Sequence, residues 1–124
     1  MNAARYVYAS FAAATVVVLT FTSCGARGPE PGTPEALYVE LGCAKCHGDA
    51  LQGLRSGPPL VNLKDRWQED ELVAYLQNPK AVMEREPRLA YIAEQYPIAM
   101  PAFVSTDEAK LRDVAGFILS KSDS

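Results

Sequence analysis

Two of the chain's three cysteines and its only histidine fall within the stretch "CAKCH", Cys43 to His47. On a helical turn, residues at i, i+3 and i+4 lie on one side. Two thiols and an imidazole therefore converge on one object, and the chain has to fold round it. With 124 residues there is room for one domain and little else. A core that small is marginal, and such domains recruit a disulfide, a metal or a cofactor to hold together. The net charge is −3 with no cluster of Lys and Arg. Nucleic acid is therefore not an expected partner, since phosphate binding needs a concentrated basic surface.

The N-terminus points away from the cytoplasm. After Arg5 no charge appears before Arg27, and "YVYASFAAATVVVLTFTSC" is apolar or small throughout. One early basic residue, an apolar run and then small residues read as an export signal. The run ends in "FTSC", which resembles the lipobox of bacterial lipoproteins, with Cys24 as the lipidated residue. Phe21 departs from that pattern, where Leu is the usual occupant. Ordinary cleavage nearby, or an uncut anchor long enough to span a bilayer, are the alternatives. The expected organisation is a signal peptide over 1–23, a tether over 24–33 and a folded domain over 34–124. The tether is rich in Gly, Pro and polar residues, and fully stretched it reaches roughly 30 Å.

The domain reads as all-α. In "TPEALYVEL" Thr33 suits an N-cap and Pro34 the first helical position. Turn formers from Gly48 to Pro59 rule out a long regular element before Asp65. "QEDELVAYLQN" predicts a helix with an acidic first turn and with Leu72, Val73 and Leu76 inward, limited by Pro79. A third helix is expected within Glu86 to Gln95, and "YPIAMPAF" reads as an irregular loop. The last helix carries Leu111, Val114, Ala115, Ile118 and Leu119 on one stripe, with Ser105 and Glu108 matching a capping box. No segment alternates with period two.

Three chemistries compete for Cys43, Cys46 and His47. Structural zinc needs four ligands, and the only other cysteine, Cys24, lies in the exported leader. A redox C-x-x-C of the thioredoxin type wants a strand before it, and this region reads as helix and loop. C-x-x-C-H as a c-type haem attachment site fits best. The cysteines would form thioethers with the haem vinyl groups and His47 would sit under the iron. That attachment requires export.

The chain resembles a class I c-type cytochrome from about Thr33 onwards. "CAKCH", "GPPL", "MPAF" and an amphipathic last helix occur in that family's order. The resemblance implies a small cytochrome c fold of about three to five helices wrapped round one covalently bound haem c and its iron. It also implies Met100 as the sixth ligand opposite His47. No second histidine is available, Met100 stands between Pro97 and Pro101, and Met83 reads as filler in the charged stretch "KAVMEREP". The family's proline after Gly implies that the Pro58 carbonyl accepts from His47. Trp67 is expected on a haem propionate or in the core, and Arg55 or Arg66 near a propionate or in solvent. Tyr75, Tyr91, Tyr96, Phe103, Leu60, Leu72 and Ile118 are expected to wall the crevice, and Lys45 to face solvent.

With both axial positions filled by protein, no place is left for a substrate on iron. The expected role is therefore one-electron transfer between redox partner proteins at the periplasmic face of a bacterial membrane, with no catalytic residue. A haem enzyme or sensor with a labile sixth ligand, and a haem subunit of a larger oxidoreductase, are the alternatives. "FTSC" makes the anchor testable. Cys24→Ala should abolish lipidation and either release the processed domain or leave an uncut precursor. Mass spectrometry of the mature N-terminus decides it, and a free amine beginning after Cys24 contradicts the lipoprotein reading.

Overall fold

The computed structural model describes residues 25 and 27–123. The expected signal peptide and Cys24 lie outside these residues. Six helices follow in order: α1 (Pro34–Glu40), α2 (Ala44–His47), α3 (Glu69–Gln77), α4 (Pro79–Met83), α5 (Pro87–Ala93) and α6 (Glu108–Lys121). Among the described residues there is no strand, only an isolated bridge between Leu54 and Gly57. No described helix is long and apolar enough to cross a membrane.

The helix starts and stops are local chemistry. Thr33 Oγ1 accepts from the Ala36 N–H at 3.2 Å and Pro34 occupies the first turn of α1, as the sequence predicts. The end of α1 is a Schellman motif: the Cys43 N–H bonds the Tyr38 carbonyl at 3.1 Å and the Gly42 N–H bonds that of Val39 at 3.0 Å. Gly42 takes φ +80° there, a left-handed conformation that costs a residue with a Cβ. This reversal begins α2 at once, so the cysteine motif starts where α1 stops.

Two expectations about boundaries are corrected. Pro79 does not only limit α3; it starts α4, because the first turn of a helix needs no N–H from it and Asn78 Oδ1 caps the Ala81 N–H at 3.1 Å. With α2 also distinct, the helices number six rather than three to five. At α6 the cap is Asp107, whose Oδ1 accepts from Ala109 N–H at 2.9 Å, rather than Ser105. Asp is as strong an N-cap as Ser, and it stands directly before the first helical residue. The Ser–Glu pairing misplaced the start by two positions.

Packing follows the apolar stripes. Helix α6 lies against both α1 and α3, with Leu111, Val114 and Ala115 at 0 % exposure and Ile118 buried beside them. Full burial of a Leu, Val or Ile contributes about 1.5–3 kcal/mol each, so this stripe holds the two crossings. Tyr38 closes the far side: its ring packs on Phe117 with centroids 5.5 Å apart, and its hydroxyl donates to the Gly48 carbonyl at 2.8 Å. Burial pushes the Tyr38 phenol well above its usual range, and the neighbouring Cys43 and Asp49 push the same way. At the other end, Ser122 clips the 62–63 loop to α6 through Asn62 N–H to Ser122 O at 2.7 Å and Leu63 N–H to Ser122 Oγ at 3.3 Å. On the surface Arg112 bridges Glu69 and Asp70 of α3 to Glu108 of its own helix. Exposed ion pairs of this kind orient helices more than they stabilise them.

Candidate functional site

A cavity of about 460 Å³ opens between the cysteine motif, the 57–61 loop, helices α3 and α5, and the loop before Phe103. That size lies within the range of cofactor pockets. Its walls are mostly apolar and include Leu60, Leu72, Leu76, Phe103 and Ile118. Cys43, Cys46 and His47 line it, and so does Met100 from the loop that runs from Pro97 to Pro101.

His47 is 7 % exposed, and its ring is oriented by one bond. Nδ1 lies 2.7 Å from the Pro58 carbonyl oxygen. A carbonyl can only accept, so Nδ1 carries the proton and the Nε2 lone pair is left for a ligand's metal. A bond of this kind fixes ring orientation and raises ligand basicity. Pro58 can reach because Gly57 lets the loop approach the motif. A Cβ on Gly57 would stand 2.8 Å from the Cys46 carbonyl oxygen, closer than packing allows. The loop is held further by Gly53 N–H to His47 O at 2.8 Å and Leu60 N–H to Leu51 O at 2.8 Å.

Burial pushes the Cys43 thiol up to about 11, with Cys46 adding to the shift and a backbone hydrogen bond opposing it. At neutral pH Cys43 is therefore a protonated thiol, unlike the low-pKa thiolate of a redox-active C-x-x-C. Among the described residues no strand precedes the motif either. Among the described residues no group of three or more His, Cys, Asp or Glu side chains is arranged to hold a metal ion, so zinc finds no ligand set there. The two thiols, the oriented imidazole and a thioether lining one mostly apolar cavity are residues that would suit a large apolar metal-bearing cofactor.

The site residues expected from the sequence come together. Cys43, Cys46, His47, Pro58, Trp67 and Met100 all line this cavity, whereas Cys24 lies outside the described residues. Trp67 lines the cavity and packs edge-on against Tyr75, centroids 5.4 Å apart. Tyr75, Tyr96 and Phe103 line it, and burial raises the Tyr75 phenol. Tyr91 does not; it is 67 % exposed on the outer side of α5, so its expected place in the wall is corrected. Arg66 lines the cavity but Arg55 does not, Lys45 is exposed, and Met83 is half-buried on α4 away from the cavity. Sequence reasoning missed Arg88, Leu89, Ile92 and Ala93 of α5, which line the cavity together. Their spacing of one, three and four is the helical signal that would have found them.

The loop carrying Met100 is anchored on both sides. The Tyr96 N–H bonds Ala93 O at 3.2 Å, closing α5, and the Phe103 N–H bonds Leu76 O at 2.9 Å, tying the loop to α3. Between them Pro97 and Pro101 restrict the backbone.

Compared with known families, residues 35–122 match the family model described as Cytochrome c. Neither the curated proteins nor the solved structures contain a match to this chain. The Gly57 contact yields a prediction: Gly57→Ala should destabilise the fold by about 1–3 kcal/mol, the range of overpacked sites. It should also weaken the Nδ1–H preference of His47. Denaturant unfolding and the nitrogen chemical shifts of the ring check it; wild-type values for both would mean the loop yields freely.

Proposed function

The chain belongs to the cytochrome c family, whose members transfer electrons on covalently bound haem c, and on that premise we propose a single-haem, one-electron carrier at the outer face of a bacterial membrane. When bound, haem c supplies an iron that gains and loses one electron. The observation that carries the reading is that His47 and Met100 line one mostly apolar cavity with both cysteines of the motif.

Each residue has a task in this reading. Cys43 and Cys46 hold the ring through thioethers. His47 offers Nε2, with Pro58 holding the other ring nitrogen at 2.7 Å. Met100 offers its sulfur from a loop stiffened by prolines, and Met/His ligation raises the reduction potential relative to ligands that favour the ferric form. Leu60, Leu72, Leu76 and Ile118 keep water from the ring, which tunes the potential further. With His47 and Met100 both available as donors, an iron held there would have no open position for a substrate. Trp67 supplies an aromatic wall of the cavity.

The family is typically extracytoplasmic, in keeping with the apolar leader before Cys24. Lipid on Cys24 would leave the domain on the tether 24–33, within reach of donor and acceptor proteins at the membrane surface. A labile sixth ligand would make the chain a haem enzyme or sensor instead, and the Met100 loop decides between the two. Met100→Ala should abolish the weak red-end absorption band of methionine-bound ferric iron, lower the potential, admit carbon monoxide to the reduced protein and reduce stability. Met83→Ala, away from the cavity, should leave the spectrum and the potential nearly unchanged. If the two variants behave the other way round, Met83 is the ligand. If neither alters the spectrum, the iron is not methionine-bound and the carrier reading fails.

A further inference from the structure

Apart from the Tyr38 phenol, two polar side chains are buried among the described residues: His47 at 7 % and Ser122 at 1 % exposure. The haem reading employs the first and leaves the second without a task. Burying a hydroxyl costs free energy unless its hydrogen bonds are made, and those of Ser122 are made. It ends α6, where a helix leaves its last carbonyls without partners of its own. Its Oγ–H donates to Leu119 O at 3.0 Å, and the same oxygen accepts the Leu63 N–H at 3.3 Å. Its carbonyl accepts the Asn62 N–H at 2.7 Å. One residue further on, Asp123 Oδ2 lies 2.6 Å from Lys64 Nζ. Asn62, Leu63 and Lys64 are thus all held from the far end of the chain.

The segment they belong to is part of the crevice wall. Leu60, Val61, Leu63, Arg66 and Trp67 all line the cavity, yet positions 61–67 form no helix or strand. Among the described residues, these positions have no hydrogen bond to another part of the chain besides the two to Ser122. Within the segment, Arg66 and Trp67 both give their N–H to Leu63 O at 2.9 Å. The turn that carries Trp67 is therefore built on the residue that Ser122 holds. Asn62 takes φ +53° at this junction, a left-handed conformation that Asn tolerates better than most residues. Beyond these ties the wall rests on apolar packing, Trp67 against Tyr75 included.

We propose that Ser122 is a positioning residue for the haem site: it latches the 61–67 wall to the end of α6 and so sets how much water reaches the ring. This deepens the haem c reading above and rests on it. None of the Ser122 bonds reaches His47 or Met100, so the residue acts through the wall and not through an axial donor. An apolar shell controls solvent access and with it the reduction potential. Water admitted beside the iron favours the ferric form, which carries the greater charge, and lowers the potential.

Trp67 is the only tryptophan in the chain, so its emission reports on this wall alone, and a haem ring quenches it by proximity. The test compares the haem-loaded wild type with Ser122→Ala, with a chain shortened to end at Lys121, and with Ser120→Ala. The Ser120 hydroxyl is exposed and bonds Phe117 O within α6, which makes it the control. Ser122→Ala should speed exchange of the Leu63 amide roughly tenfold, the scale of one lost hydrogen bond. The Leu60 amide, bonded to Leu51 O, should be unchanged. Trp67 should brighten and the midpoint potential should fall. The shortened chain loses the Lys64 pair as well and should go further in each readout; should it not fold, Ser122→Ala alone decides. Ser120→Ala should match the wild type. Wild-type emission and potential in Ser122→Ala, even with lower stability, would overturn the proposal and leave the haem c reading intact, the hydroxyl then merely finishing α6. Equal shifts in Ser120→Ala would overturn it too, since they would report a frayed helix and not the latch. Absence of covalent haem from the purified wild-type chain would overturn the proposal and the reading beneath it.

Discussion

The hydrogen bond from His47 Nδ1 to the Pro58 carbonyl, 2.7 Å long, joins the two segments on which the site is built. Its donor is delivered by the Schellman turn at Gly42, which stops α1 and begins the cysteine motif without a spacer. Its acceptor is delivered by a loop that approaches the motif only because Gly57 has no side chain. The bond fixes the imidazole tautomer, so one nitrogen faces the cavity with its lone pair free. Displacing either segment would turn the ring relative to the cavity that Met100 also lines. Helices α1, α3 and α6 are the frame that keeps the two segments in register, through the dry stripe of Leu111, Val114, Ala115 and Ile118.

Much of this was legible in the sequence, and for identifiable reasons. The α1 cap, the inward face of α3 and the α6 stripe follow from short-range rules, and Leu72, Val73, Leu76 and Leu111 are buried as those rules require. The site residues are also punctuated locally: cysteines at a fixed interval, a proline after glycine, a methionine between prolines. What escaped was set by ambiguity or by tertiary packing. Pro79 serves equally to stop one helix and to start the next, and only the Asn78 cap resolves which. At α6 two capping residues stand two positions apart, and Asp107 wins by adjacency to the helix. Helix α5 is short and flanked by charge, and its sequence does not say which side faces a cavity built by residues far away. Tyr91 was misplaced and Arg88 overlooked for that single reason.

Charge is divided by location in a way that suits the proposed role. Acidic groups are solvated or gathered round Arg112, where they hold α3 to α6. No Asp or Glu lines the cavity, whereas Arg66 and Arg88 do. A mostly apolar lining with two cations suits a bound group that is largely apolar and carries some negative charge. Such a lining agrees with the family to which residues 35–122 belong.

The central claim is that the motif Cys43 to His47 carries haem c covalently. The most direct measurement is the mass of the proteolytic peptide containing Cys43 and Cys46, taken from the exported protein after denaturation. The account predicts a peptide heavier by one haem, with neither thiol open to alkylation. A peptide of unmodified mass with both thiols alkylated would contradict it.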